Sequence, residues 1–226
     1  MAAIELRGLS KHFGDVTALD GVDLTVREGE VFGFLGPNGA GKSTTIDILL
    51  DFVRPTNGDA TVLGFDAQSA SVDVRRRVGV LPEGYEVYDR LTGRQHVEFV
   101  VESKAVDEHP IDALDRVGIA EAADRRAADY SKGMRQRLLL SMALVGDPDL
   151  LILDEPSTGL DPAGVREIRD IVRETADRGA TVFFSSHILS QVEAVCDRVG
   201  ILRNGELVAV DSVDGLRRLS GVVRPS

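Results

Sequence analysis

Apolar residues along this chain gather into short, nearly unbroken blocks: Val31-Phe32-Gly33-Phe34-Leu35, Val78-Gly79-Val80-Leu81, Leu150-Leu151-Ile152-Leu153, Thr181-Val182-Phe183-Phe184 and Val199-Gly200-Ile201-Leu202. Blocks of this length without alternation predict strands buried on both faces. Stretches of helical texture at 163–177 and 187–196 separate the last three, which predicts a mainly parallel sheet covered by helices. Residues 4–26 read differently, with short alternating blocks broken by Gly8, Gly14 and Gly21, the pattern of a small antiparallel sheet. Turn signals follow at Pro55-Thr56-Asn57-Gly58 and Gly64. From 92 to 144 the texture turns helical. Thr92 is placed to cap a helix over 93–104, and Ile111, Leu114, Val117 and Ile119 lie on a helical stripe. Arg203-Asn204-Gly205-Glu206 between two apolar runs predicts a hairpin turn. There is no internal repeat and no low-complexity linker. The expected organisation is one domain over 1–226, with a core from 1–83 and 146–226 and a helical subdomain inserted at 84–145.

The 226 residues and 43% hydrophobic content suffice for one large domain or a core with an insertion. A net charge of -11 and a pI near 4.8 exclude nucleic-acid phosphate as a default partner. Of 26 basic residues only Lys11, Lys42, Lys104 and Lys132 are lysines, an Asp-rich, Lys-poor balance like that of proteins from salt-accumulating halophiles. Arg75-Arg76-Arg77 and Arg125-Arg126 read as solvated faces or dimer-edge ion pairs. Cys196 is the sole cysteine, so no intrachain disulfide is possible; its apolar setting predicts a buried small side chain in a reducing compartment. The N-terminus lacks the layout of a signal peptide and no apolar run approaches the roughly 20 residues of a membrane span, so a membrane role is expected to come through a partner. His12, His96 and His109 show no metal-ligand spacing.

The chemistry concentrates after the first apolar block. Gly36-Pro37-Asn38-Gly39-Ala40-Gly41-Lys42-Ser43-Thr44 satisfies GxxxxGK[ST], preceded by a strand candidate and followed by the helix-like Thr45-Ile46-Asp47-Ile48-Leu49-Leu50. The glycines let backbone N–H groups turn toward phosphate oxygens and the helix start adds positive potential. Lys42 reaches the β- and γ-phosphates, and the Ser43 hydroxyl ligates Mg²⁺. Asp154-Glu155-Pro156 ends a later apolar strand. Two carboxylates there are costly without a cation or a task, so Asp154 is placed to hold Mg²⁺ through water and Glu155 to act as general base. A solvated acidic turn is the simpler alternative.

Between these motifs lies Tyr130-Ser131-Lys132-Gly133-Met134-Arg135-Gln136-Arg137, and after them Ser157-Thr158-Gly159-Leu160-Asp161 and Ser185-Ser186-His187. In this order the motifs resemble the nucleotide-binding subunit of ATP-binding-cassette (ABC) transporters, over nearly the whole chain. The resemblance implies an α/β P-loop NTPase (RecA-like) core with a parallel sheet, an N-terminal antiparallel β-subdomain and an inserted α-helical subdomain. It implies ATP hydrolysis with Mg²⁺ as cofactor, held by Ser43, Asp154 and Glu83. It places Phe13 on adenine and His187 on the γ-phosphate and the catalytic carboxylate. Ser131 and Gly133 fall on the signature motif, which faces ATP bound by the opposite subunit, and Asp161 on the loop coupling the two sites of a dimer.

Two positions depart from the family pattern. Glu83 replaces a glutamine, keeping an oxygen for Mg²⁺ or water and losing an amide donor, and Lys132 replaces the first glycine of the signature pair. Both variants resemble the branch serving ABC-2-type exporters. The implied partners are a second ATPase subunit, identical or different, and an integral membrane permease, on the cytoplasmic face of the membrane, with export as the expected direction and no nucleic acid. A soluble ABC ATPase acting on DNA or ribosomes is the alternative; such proteins usually carry two cassettes or large coiled-coil insertions, whereas one phosphate loop and an insert of ordinary size occur here. A P-loop kinase or GTPase would leave the signature segment and His187 without a role. The chain also ends soon after the hairpin, without the long C-terminal extension of some relatives.

Overall fold

A computed structural model describes residues 1–158 and 160–215; Gly159 of the 157–161 loop and the segment from 216 onward lie outside the described residues. The N-terminal alternation becomes β1 (Ala2–Phe13) and β2 (Val16–Arg27), an antiparallel pair closed by a two-residue turn in which Gly14 takes a φ of 57°. β4 (Asn57–Val62) pairs with the other edge of β1 and β5 (Phe65–Asp66) completes a four-stranded sheet.

The apolar blocks form the second sheet. β3 (Val31–Leu35), β6 (Val78–Leu81), β7 (Leu150–Asp154), β8 (Thr181–Ser186) and β9 (Arg198–Arg203) run parallel in the order β9-β3-β8-β7-β6. β10 (Glu206–Ser212) turns back antiparallel on β9 through Asn204-Gly205, as the sequence predicts. Each parallel strand of this sheet feeds two cores. Leu150, Ile152 and Phe183 face the β-subdomain with Phe32 and Phe34, whereas Leu151, Leu153, Val182 and Phe184 face a second cluster with Leu138 and Val192. Such two-sided burial explains the lack of alternation. Phe183 anchors the first core, its ring 6.0 Å from Phe32 and 5.2 Å from Phe34.

Seven helices connect the strands among the described residues: α1 (Lys42–Leu49), α2 (Ser71–Arg77), α3 (Gly93–Lys104), α4 (Pro110–Asp115), α5 (Lys132–Leu144), α6 (Pro162–Asp177) and α7 (Leu189–Val195). α3 begins at the expected cap: Thr92 Oγ1 accepts from Gln95 N at 3.2 Å while Gln95 Oε1 accepts from Thr92 N at 2.9 Å, a reciprocal capping box. Two glycines permit close helix-to-strand approach. A methyl on Gly79 would lie 1.9 Å from the Ala143 carbonyl of α5, and one on Gly33 would lie 2.3 Å from Val192 Cγ1 of α7.

The stripe from Ile111 to Ile119 is not one helix. α4 stops at Asp115 and Gly118 takes a φ of 69°, so Ile119 opens a 3-10 turn at Ala120–Ala122, although Leu114, Val117 and Ile119 are all buried as expected. The helix expected from 187 starts at Leu189, after His187 and Ile188 complete a turn. α2 carries no sequence signal because Val74 is its only buried residue. Cys196 is buried, and burial pushes its thiol far above the ordinary range. Among the described residues no helix is long and apolar enough to cross a membrane.

Candidate active site

The phosphate-type loop leaves β3 and is held from both sides. Gly36 N donates to Ser186 O at the end of β8 (3.2 Å), and Gly205 N in the β9–β10 turn donates to Ala40 O (3.0 Å). Gly41 has a φ of 111°, and a Cβ there would lie 2.5 Å from Ala18 O, so both space and backbone conformation demand glycine. α1 then starts with no side-chain cap and no acidic residue in its first turn. Its leading N–H groups face outward with the positive end of the helix, an arrangement that receives anions. Pro37, Asn38 and Gly39 form the exposed tip of the loop, Ser43 is exposed on the first turn and Thr44 is half-buried.

Lys42 folds back across this loop. Its ammonium donates to Gly36 O at 2.8 Å and lies 3.3 Å from Glu155 Oε1, and the residue is only 5% exposed. β7 and β8 supply the opposite wall, where parallel register sets Asp154 beside Ser185. The Ser185 hydroxyl donates to Asp154 Oδ1 and fixes that carboxylate's orientation. Glu155 follows with a φ of 49°, a left-handed conformation that costs a non-glycine residue about 1–2 kcal/mol and turns the chain sharply out of the strand.

Glu155 is buried with two distinct oxygens. His187 Nδ1 lies 2.9 Å from Oε2, and because an ionised carboxylate only accepts, the bond fixes the proton on Nδ1. Oε1 is buried without a hydrogen bond and faces the Lys42 ammonium alone. The local field is negative enough to reach α1: burial first, and the charge of Asp154 second, hold the Asp47 carboxyl above its usual range. Asp154 and the Ser43 hydroxyl are hard oxygen donors, a set suited to Mg²⁺ bound with phosphates and water rather than to a soft metal. No cluster of three or more His, Cys, Asp or Glu side chains suited to a metal occurs among the described residues.

The structure thus gathers Gly36, Lys42, Asp154, Glu155 and His187. Glu83 is exposed after β6 and lines, with Asp154, Glu155, Lys132 and Gln136, a cleft of about 560 Å³. Phe13 ends β1 at 48% exposure, one ring face covered by the Lys11 ammonium 4.7 Å from its centroid. Ser131 and Gly133 stand apart. They line a different depression of about 460 Å³ with Leu160, Asp161 and Gly164. Ser131 caps α5 through Met134 N (3.2 Å) and Asp161 caps α6 through Gly164 N (2.8 Å).

Sequence reasoning assigned no role to Ser185, Ser186, Gln191 or Gln136. Gln136 Nε2 donates to Pro156 O at 2.8 Å and ties α5 to the turn that carries Glu155. The serines are marked in the sequence only as the polar neighbours that precede His187 and follow directly on an apolar block.

Comparison with known proteins identifies the family. Residues 19–158 match the family model described as ABC transporter. The chain is 41% identical over 213 residues to YhcH of Bacillus subtilis, named an uncharacterized ABC transporter ATP-binding protein, covering 93% of this chain and 70% of YhcH. It is 39% identical over 224 residues to the daunorubicin/doxorubicin resistance ATP-binding protein DrrA of Streptomyces peucetius, covering 97% of this chain and 68% of DrrA. A solved structure described as the ATP binding subunit of an ABC transporter superposes with a TM-score of 0.88 at 30% identity, covering 99% of this chain and 95% of that one.

Proposed function

The chain belongs to the ABC transporter family of ATP-binding, ATP-hydrolysing subunits that power transport, and from that premise we propose the role of each residue in its site. The loop 36–41, the start of α1 and Lys42 bind the phosphates of ATP, Lys42 supplying the fixed positive charge. Phe13 offers its uncovered ring face to the adenine. Ser43 and Asp154 would hold Mg²⁺, with Glu83 on the rim of the same cleft as Asp154; the ion would supply charge neutralisation at the phosphates. Glu155 takes the proton of the attacking water, and His187 orients that carboxylate through Nδ1.

One observation carries this reading: a buried glutamate whose two oxygens meet a histidine N–H and the lysine of the phosphate loop. Glu155→Gln tests it. The variant is expected to keep ATP affinity and lose hydrolysis by roughly 10²–10⁴-fold, because an amide accepts no proton. Turnover near that of the unsubstituted chain would remove Glu155 from the base role.

Ser131 and Gly133 open on a separate depression beside Asp161, which supports a site completed by a second subunit. In such a head-to-tail dimer Ser131 of one chain meets the phosphate held by Lys42 of the other. Hydrolysis regained on mixing inactive Lys42→Ala and Ser131→Arg chains would support this; demonstrated heterodimers that stay inactive would oppose it. The helical segment 84–145 serves as the subdomain that carries Ser131 and Gly133 to that contact. The membrane partner is a separate permease, with this chain on its cytoplasmic face. The resistance and export names of relatives such as DrrA favour outward transport.

A further inference from the structure

The turn bearing His187 is held by residues that none of these roles uses. Ser186 is fully buried at the end of β8. Its carbonyl accepts from Gly36 N at 3.2 Å, its hydroxyl accepts from Ile188 N at 3.1 Å, and that hydroxyl donates to Gln191 Oε1 at 3.0 Å. One residue therefore contacts the phosphate loop, the backbone beyond His187 and the first turn of α7. Gln191 is itself fixed, since α7 is seated on β3 with Val192 fully buried over Gly33.

We propose that Gln191 is a positioning residue for hydrolysis: through the Ser186 hydroxyl it sets the turn that aims His187 Nδ1 at Glu155. A hydroxyl has one proton, and giving it to Gln191 turns its lone pairs toward Ile188 N–H. Without the Gln191 acceptor that hydroxyl is free to rotate, the bond to Ile188 weakens and the imidazole loses its fixed direction. The proposal rests on the assignment of Glu155 and His187 to hydrolysis.

The test measures kcat, KM, ATP affinity and thermal midpoint for Gln191→Leu, Gln191→Glu, Ser186→Ala and the double variant Gln191→Leu/Ser186→Ala. Gln191→Leu removes the acceptor at similar volume and is expected to lower kcat about 3- to 10-fold, the range of one hydrogen bond, with KM and ATP affinity unchanged. Gln191→Glu retains an acceptor oxygen and is expected to restore kcat to within twofold. Ser186→Ala removes both hydroxyl bonds, so the double variant should be no slower than Ser186→Ala alone. In a His187→Ala background, adding Gln191→Leu should change neither residual turnover nor, if turnover is lost, the yield of ATP-bound dimer.

An unchanged kcat in Gln191→Leu, a fall shared by KM, or additive losses in the double variant would each overturn the proposal. So would a lowered thermal midpoint with no rescue of kcat by Gln191→Glu. Failure of the underlying assignment looks different: Glu155→Gln would then hydrolyse ATP normally, whatever the Gln191 variants do.

Discussion

Gly33 lies in the middle of β3, and its missing side chain is the space that α7 occupies. In Gly33→Ala the new methyl would sit 2.3 Å from Val192 Cγ1 and 3.0 Å from Cys196 Sγ, and because Val192 is fully buried its methyls have nowhere open to turn. The strand and helix must part. Overpacking of this kind costs about 1–3 kcal/mol, which for a chain of this size lowers the thermal midpoint by roughly 2–12 °C. Val192→Ala removes the colliding carbon and on its own should cost about 2 kcal/mol for the methyls it deletes. Combined, the two substitutions partly compensate, and their joint loss should fall short of the sum by about 1 kcal/mol or more. Calorimetric melts of the four chains measure this directly, with ATPase rates alongside, since a displaced α7 moves the support of His187. Strictly additive losses, or an unshifted midpoint in Gly33→Ala, would refute the claim that the helix rests on the strand through this glycine.

Lys42→Ala should weaken ATP binding by roughly 10- to 100-fold, the loss of a charge-assisted contact, and should lower the thermal midpoint because Glu155 is left buried without its cation; titration calorimetry and a melt read the two effects. Asp47 has a folded pKa raised by burial and by Asp154, so folding favours its protonated form and stability falls as pH rises through the carboxylate range. Asp47→Asn should therefore raise the midpoint at pH 7 and give no advantage near pH 3; the same gain at both values would count against it. If the net charge of -11 reflects a high-salt habitat, molar KCl should raise the midpoint by screening carboxylate repulsion. A midpoint that is flat or falls with salt in a circular dichroism melt defeats that reading.

The strands of the central sheet were legible because burial on both faces leaves a contiguous apolar mark, as at 150–153 and 181–184. The phosphate loop was legible because its glycines and Lys42 act within a few residues of one another. What escaped was of two kinds. Short elements with little buried surface, such as α2 with Val74 alone, have no periodicity to detect. Long-range polar contacts leave no spacing rule at all: Ser185 meets Asp154 because β8 pairs with β7, and Gln136 meets Pro156 across the fold from α5, which packs on β6. The stripe ending at Ile119 shows the reverse error, since burial followed the pattern while Gly118 turned the backbone away from the helix.

The ion pair between Lys42 and Glu155 has a consequence for the timing of the reaction under the roles proposed above. Glu155 Oε1 and an arriving phosphate want the same ammonium, and the lysine stem cannot satisfy both at full strength. A polyphosphate that draws Lys42 toward itself leaves Glu155 Oε1 without the cation beside it, so that oxygen is open to a water as the bond to be cleaved arrives. Under those roles the lysine is a placeholder: Glu155 Oε1 is occupied by the protein's own ammonium until a phosphate claims that ammonium.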